Sequence, residues 1–179
     1  MKFIETEIKD LWIIEPQVFA DSRGYFMEAY KELEFTRHIG NIHFIQDNES
    51  RSSFGVLRGL HYQEGEAAQA KLVRVIEGRA LDVAVDIRKD SLTFGQYKLV
   101  ELTADNKRQL FIPGGFAHGF LVLSETALFT YKVDNLYTPD MERCLNFQDP
   151  ELNIPWPLDS SQLVLSEKDK AGKFLKEIR

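Results

Sequence analysis

The segment LDVAVDIR, residues 81–88, carries apolar side chains at Leu81, Val83, Val85 and Ile87, with Asp82, Ala84, Asp86 and Arg88 between them. Side chains on an extended strand point alternately to opposite faces, so this period of two predicts a two-faced β-strand. Runs of the same kind lie on both sides of it, at 11–14, 44–48, 56–61, 71–77, 97–102, 109–112, 119–123 and 127–133. Turn residues separate them: Glu77-Gly78, Asp90-Ser91 with Phe94-Gly95, Asp105-Asn106, Pro113-Gly114-Gly115 and Ser124-Glu125. Many short strands at such spacing imply an antiparallel sandwich or barrel.

Helix signals are few. Residues 30–38 run to a terminating glycine, Gly40, and predict a two-turn helix. Residues 166–178 open with Ser166 and Asp169 in capping-box spacing, are rich in Lys and Glu, and predict a C-terminal helix. Between them and the strands, DPELNIPWP at 149–157 reads as a proline-punctuated loop. With 179 residues and no repeat, low-complexity run or linker, a single domain over 1–179 is expected.

Composition narrows the class. Hydrophobic residues make up 44% and charged residues 28%, as in an ordinary water-soluble globular protein. No apolar run approaches the roughly 20 residues that span a bilayer, and MKFIETEIKD lacks the apolar core of a secretory signal. The lone Cys144 leaves no internal disulfide and fits a reducing compartment, so a cytoplasmic location is expected. In RCLNF that thiol reads first as a packing group. The net charge of −6 argues against nucleic acid as a partner, though not against a small anion held by local arginines.

Two stretches carry the chemistry. GVLRGLHYQ at 55–63 spaces Gly55 and His61, and PGGFAH at 113–118 spaces Pro113, Gly115 and His118. Here the chain resembles the cupins, which implies a mainly β, double-stranded β-helix (a jelly-roll barrel) and metal ligands at these places. The ligand set is broken, however. Gln63 stands where a second His is usual, Ala67 or Ala68 where Glu is usual, and Val122 where Asn is usual. Two imidazoles with neither a carboxylate nor a third nitrogen make a poor closed metal site. The expectation is no metal and no cofactor, with proton chemistry done by side chains.

The chain also closely resembles the dTDP-4-dehydrorhamnose 3,5-epimerases, nearly end to end. The resemblance rests on FADSRGYFMEAY at 19–30, QDNESRSSFGVLRGLHYQ at 46–63, QAKLVRVIEGRALDVAVDIR at 69–88 and NKRQLFIPGGFAHGFLVLSE at 106–125. YKVDNLY at 131–137, ERCLNFQDP at 142–150 and SEKD at 166–169 continue it. The loop EGEAAQ at 64–69 departs by lacking a proline common there, which touches loop shape rather than chemistry. The resemblance implies conversion of dTDP-4-dehydro-6-deoxy-D-glucose to dTDP-4-dehydro-β-L-rhamnose, a step of dTDP-L-rhamnose biosynthesis, by a homodimer. Carbons C3 and C5 both flank the C4 carbonyl, so each can lose a proton to an enolate. That chemistry needs a base, an oxyanion stabiliser and an acid on the opposite face.

The same resemblance implies the roles. His61 matches the base, suited by an ordinary pKa of about 6.5, with Asp169 as its orienting carboxylate. Tyr131 matches the acid, a phenol protonated at neutral pH because its ordinary pKa is about 10. Lys71 matches the group facing the C4 oxygen, and His118 a second imidazole touching substrate. Arg23, Arg58 and Lys168 match contacts to phosphate and sugar, where guanidinium suits bidentate recognition. Glu28, Gln46, Asp47, Asn48 and Glu142 match polar ligand contacts. Tyr137 matches the ring that stacks on thymine, and Phe26 a neighbouring contact. In the dimer, residues near the N-terminus, Arg23, Phe26 and Glu28 among them, would complete the neighbouring subunit's pocket.

Blander readings stand beside these. Asp169 is also the fourth residue of a helix cap, and Tyr131 alternates with Phe129 and Val133 as a core aromatic would. Lys71 shares a face with Val73 and Val75, where a lysine either enters a pocket or snorkels. Epimerisation at one carbon only, a non-catalytic sugar-nucleotide barrel and a metal-dependent oxygenase remain as competing functions.

Overall fold

The computed structural model of the chain describes residues 1–178. It contains thirteen strands: β1 (Lys2–Glu5), β2 (Trp12–Glu15), β3 (Val18–Asp21), β4 (Gly24–Met27), β5 (Gln46–Ser53), β6 (Leu57–Gln63), β7 (Lys71–Glu77), β8 (Arg79–Asp86), β9 (Tyr97–Thr103), β10 (Gln109–Ile112), β11 (Phe116–Val122), β12 (Thr126–Val133) and β13 (Glu142–Cys144). Two short helices accompany them, α1 (Glu32–His38) and α2 (Glu167–Lys170). A six-stranded sheet runs β1-β2-β10-β7-β12-β5 and faces a five-stranded sheet, β13-β6-β11-β8-β9. Every pairing within these sheets is antiparallel. The fold is therefore mainly β, a cupin-like barrel of two facing sheets.

Between the sheets lies a cluster built from both: Val73, Val75, Leu110, Ile112, Ala127 and Phe129 from one, Ala80, Ala84, Val100, Leu102, Phe116, Phe120 and Val122 from the other. Each large side chain fully withdrawn from water contributes about 1.5–3 kcal/mol, and Phe120 stacks on Phe129 at 4.0 Å between ring centroids. Two further layers cover the outer faces. Phe35 of α1 closes over Ile14, Leu72 and Phe111 on the six-stranded sheet. Leu145, Leu152, Ile154 and Leu175 close over Leu60, Val83 and Val85 on the five-stranded sheet.

This layering corrects the reading of residues 81–88. The apolar positions Val83, Val85 and Ile87 face the outer layer, whereas Ala80, Asp82 and Ala84 point into the barrel. Both faces are buried, so the alternation marks which layer a residue meets, not core against solvent. Asp86, wholly buried, fixes the following loop by accepting from Arg88, Ser91 and Thr93.

The expected C-terminal helix is also corrected. Only one helical turn, Glu167–Lys170, forms after the Ser166 cap, and a 3-10 turn at Leu175–Glu177 follows. Between them the backbone docks on β13: Lys173 N–H donates to Cys144 O, and Asn146 N–H to Lys173 O. A Cβ on Gly172 would stand 2.8 Å from Asn146 N, so the close approach requires glycine there. Backbone pairing overrides the helical propensity of the lysines. The helix expected over 30–38 forms as the shorter Glu32–His38.

Candidate active site

One end of the barrel interior opens as a cavity of about 230 Å³. His61, Arg58 and Gln63 line it from β6, His118 from β11, Lys71 from β7, Tyr131 and Phe129 from β12, and Glu142 and Tyr137 from the segment around β13. Depressions of about 310 and 370 Å³ lie elsewhere, but neither contains His61, His118 or Lys71. The smaller cavity is where the ionisable groups converge.

Strict alternation would send Arg58 and His61, three residues apart, to opposite faces. The β6–β11 register shifts between them, with His118 opposite His61 and Phe120 opposite Arg58, so both point inward. Glycine permits this. Gly59 has φ +134°, and a Cβ on it would lie 2.5 Å from Gly119 Cα. Its freed N–H donates to Asp169 Oδ1 at 3.1 Å, tying the start of α2 to the strand that bears the imidazole.

Asp169 is buried and held from several sides. Ser166 donates from both its N–H and its hydroxyl to Oδ2, completing the reciprocal cap that the sequence suggests. Oδ1 lies 2.7 Å from His61 Nε2, close but not aligned as a hydrogen bond, so the contact is chiefly electrostatic. Burial opposes ionisation of Asp169, but the bonds from Ser166 and Gly59 together with His61 hold its carboxyl below the usual range. Cap and carboxylate partner are thus one residue in one geometry.

His61 itself is half-buried, and burial pushes its imidazole below the ordinary value despite the pull of Asp169. The ring is therefore neutral at neutral pH, with a lone pair available to take a proton. Across the cavity, on the opposite sheet, burial pushes the Tyr131 phenol up, so it stays protonated. Lys71 lies on the same inner face, paired in register with Val133. Solvent reaches it through the cavity, yet protein surrounds it closely, and that burial lowers its ammonium to about 8, with Asp82 and Glu142 opposing.

His118 donates or accepts at Nε2 with both oxygens of Asp82, at 2.9 and 3.0 Å. Asp82, buried and bonded to His118, is a residue beside the site that sequence reasoning missed. Its signal was an acid flanked on its own face by Ala80 and Ala84. At the cavity rim, Glu142 accepts from Tyr137 and pairs with Lys168. Burial would raise its pKa, but these two partners hold it below the usual range. Arg58 donates to Ser52 at 3.1 Å.

The other expected contacts are arranged differently. Gln46 and Asn48 share the inner face of β5, where the Gln46 amide donates to Asn48. Asp47 points to the outer face and pairs with Lys132 at 2.7 Å. Arg23, Phe26 and Glu28 sit on or beside the β3–β4 hairpin, away from the cavity lining. Arg23 pairs with Asp21, Glu28 with Lys31, and Phe26 is 65% exposed.

The donor positions of a metal barrel are occupied by other work. Gln63 spends its amide on Ala67 O and Leu136 O and its oxygen on Thr138 N–H, stapling two loops. Val122 is core. Among the described residues one trio, His61, Cys144 and Asp169, brings three potential ligand atoms within 4.8 Å of one another. Its thiol is pushed up to about 11 by burial, and both oxygens of its carboxylate already accept protein donors. That set fits a resident cation poorly.

A cupin-like barrel whose cavity gathers a carboxylate-backed neutral imidazole, a phenol, an ammonium and a second imidazole defines an acid–base enzyme of the isomerase class. Comparison with known proteins makes this specific. The family model for dTDP-4-dehydrorhamnose 3,5-epimerase matches residues 5–177. The Pseudomonas aeruginosa dTDP-4-dehydrorhamnose 3,5-epimerase is 53% identical over 174 residues, covering 97% of this chain and 95% of that protein. The crystal structure of the Elizabethkingia anophelis enzyme superposes with a TM-score of 0.96 at 53% identity, covering 99% and 97% of the two chains. That of the Legionella pneumophila enzyme, in complex with dTDP-4-keto-L-rhamnose, gives 0.95 at 49% identity, covering 99% and 94%. The chain belongs to the dTDP-4-dehydrorhamnose 3,5-epimerase family.

Proposed function

We propose that the cavity converts dTDP-4-dehydro-6-deoxy-D-glucose to dTDP-4-dehydro-β-L-rhamnose by removing and returning protons at C3 and C5. The observation that carries this reading is the placement of His61 and Tyr131 on facing sheets across one cavity. Inversion needs a proton removed on one face and delivered on the other, and the two walls supply a neutral base and a protonated acid. His61 takes the carbon-bound proton. The resulting imidazolium is stabilised by Asp169, and the enolate oxygen at C4 by the Lys71 ammonium. Tyr131 then donates to the opposite face; His61 releases its proton to water and the Tyr131 phenolate takes one back from water, and the cycle repeats at the second carbon. No step calls on a metal or cofactor.

Arg58 and Lys168 would meet the pyrophosphate and sugar, with Tyr137 at the rim stacking on thymine and Glu142 fixing both Tyr137 and Lys168. The exposed aromatic hairpin bearing Arg23, Phe26 and Glu28 supports a homodimer in which it completes the partner's pocket. Residues 1–179 act as one catalytic domain in the cytoplasm. Among the described residues no helix is long and apolar enough to cross a membrane.

The test is His61→Ala. Exchange of substrate hydrogen at both carbons should fall by about 10²–10⁴, while dTDP binds as in the unaltered protein. Retained turnover would remove His61 as the base.

A further inference from the structure

Asp82 is wholly buried on β8, on the inward face between Ala80 and Ala84. A carboxylate taken out of water costs several kcal/mol unless it is paired. Its one side-chain hydrogen-bond partner among the described residues is His118, which faces both its oxygens. The neighbouring wall is aromatic: the His118 ring lies 6.3 Å from Phe129, which stacks on Phe120. Among the described residues the imidazole is therefore the one hydrogen-bonding group the carboxylate holds.

The pairing selects a tautomer. An ionised carboxylate only accepts, so Nε2 of His118 carries the hydrogen. Nδ1 is then the remaining ring nitrogen. Among the described side chains, the buried polar atoms without a partner are His61 Nε2 and Tyr62 Oη. His118 Nδ1 is not one of them, makes no protein hydrogen bond, and belongs to a ring that lines the cavity. It opens on the space where substrate would lie.

We propose that Asp82 is a positioning residue for the reaction, holding His118 as the Nε2–H tautomer so that its Nδ1 accepts a hydrogen bond from a hydroxyl of the keto sugar. The inference rests on the epimerase reading for its substrate, but the tautomer is a property of the free protein. The same carboxylate, with Glu142, opposes the lowering of the Lys71 ammonium by burial. It thus helps keep the ammonium charged opposite the C4 oxygen. Asp82 faces His118, and the charged or titratable groups that share the cavity with Lys71 include Arg58 and His61 from β6, His118 from β11, Tyr131 from β12, and Tyr137 and Glu142 from the segment around β13.

The geometry explains why an acid is tolerated inside an otherwise apolar barrel. An asparagine in its place keeps the size but can donate or accept toward Nε2, so both tautomers of His118 become available. The test combines two readouts. Nitrogen-15 NMR of the histidine rings in the unaltered, ligand-free protein should show His118 protonated at Nε2. In Asp82→Asn, kcat should fall about 10- to 100-fold, the range met when an orienting partner of a functional histidine is lost. The affinity for dTDP alone should hold within about twofold, because the nucleotide contacts lie elsewhere. A His118 protonated at Nδ1 in the unaltered protein overturns the proposal, and so does an Asp82→Asn protein with unaltered kcat. Should the unaltered protein show no exchange with the dTDP-keto sugar, the epimerase reading fails instead, and the NMR result alone decides the tautomer claim. If Asp82→Asn does not fold, that same measurement on the unaltered protein stands.

Discussion

Asp169→Asn separates orientation from capping at the residue where both meet. Both carboxylate oxygens face donors: Oδ1 accepts from Gly59 N–H and lies beside His61 Nε2, and Oδ2 accepts from the Ser166 N–H and hydroxyl. An amide has one oxygen, so whichever way it turns its NH2 opposes at least one backbone N–H. Leaving such a group unpaired costs about 1–3 kcal/mol, equivalent to a fall in Tm of about 2–12 °C for a chain of this size. The rate should suffer more. When His61 gains a proton from carbon it becomes a cation, and the charge 2.7 Å away that stabilised it is gone. Loss of the orienting carboxylate from a histidine base costs on the order of 10²–10⁴ in rate. Deuterium exchange into substrate, followed by NMR beside a thermal melt, measures both effects on one preparation. Ser166→Ala supplies the control, since it removes a cap worth about 1 kcal/mol and leaves the charge beside His61. Asp169→Asn with an exchange rate like that of Ser166→Ala would refute an orienting role and leave Asp169 as a cap only.

Three further outcomes follow from the same site. Tyr131→Phe removes the proton donor but not the base, so wash-out of substrate hydrogen should persist while net inversion falls; an equal fall in both would contradict a separate acid. The pH profile of kcat/KM should have an acid limb below the ordinary histidine value of about 6.5, because burial lowers His61 and only its neutral form accepts a proton. Its alkaline limb should lie near pH 8, as Lys71, lowered to about 8, loses its charge; Tyr131 is raised and cannot supply that limb. A limb that persists in Lys71→Met would contradict the assignment. Gln63→Leu should lower stability by about 1–3 kcal/mol by orphaning the loop groups that the amide satisfies, read as a drop in Tm.

The strand pattern was legible where burial on at least one face of a strand enforces alternation. Lys71–Glu77 and Gln109–Ile112 form over the residues their pattern marks. Face assignment was not legible where both faces are covered, which is why the alternation at 81–88 gave no sign that Asp82 points into the barrel, and its contact with His118 went unseen. The placement of Arg58 beside His61 depends on a register shift that no period of two encodes. At the C-terminus the capping box of Ser166 and Asp169 was readable, but the helix it announces stops after one turn because Lys173 pairs with β13, a contact from outside the segment. The hairpin of β3 and β4, exposed here, carries no burial pattern to read. The chemistry was more legible than the geometry, since imidazole, phenol and ammonium declare their uses by type, whereas their convergence is made by the barrel.

The central claim is proton transfer at both carbons flanking C4. Incubating the protein with dTDP-4-dehydro-6-deoxy-D-glucose in deuterated buffer and reading the sugar by NMR tests it most directly. The account predicts deuterium at C3 and at C5, with inversion at both. Deuterium at one carbon alone, or at neither, would contradict it.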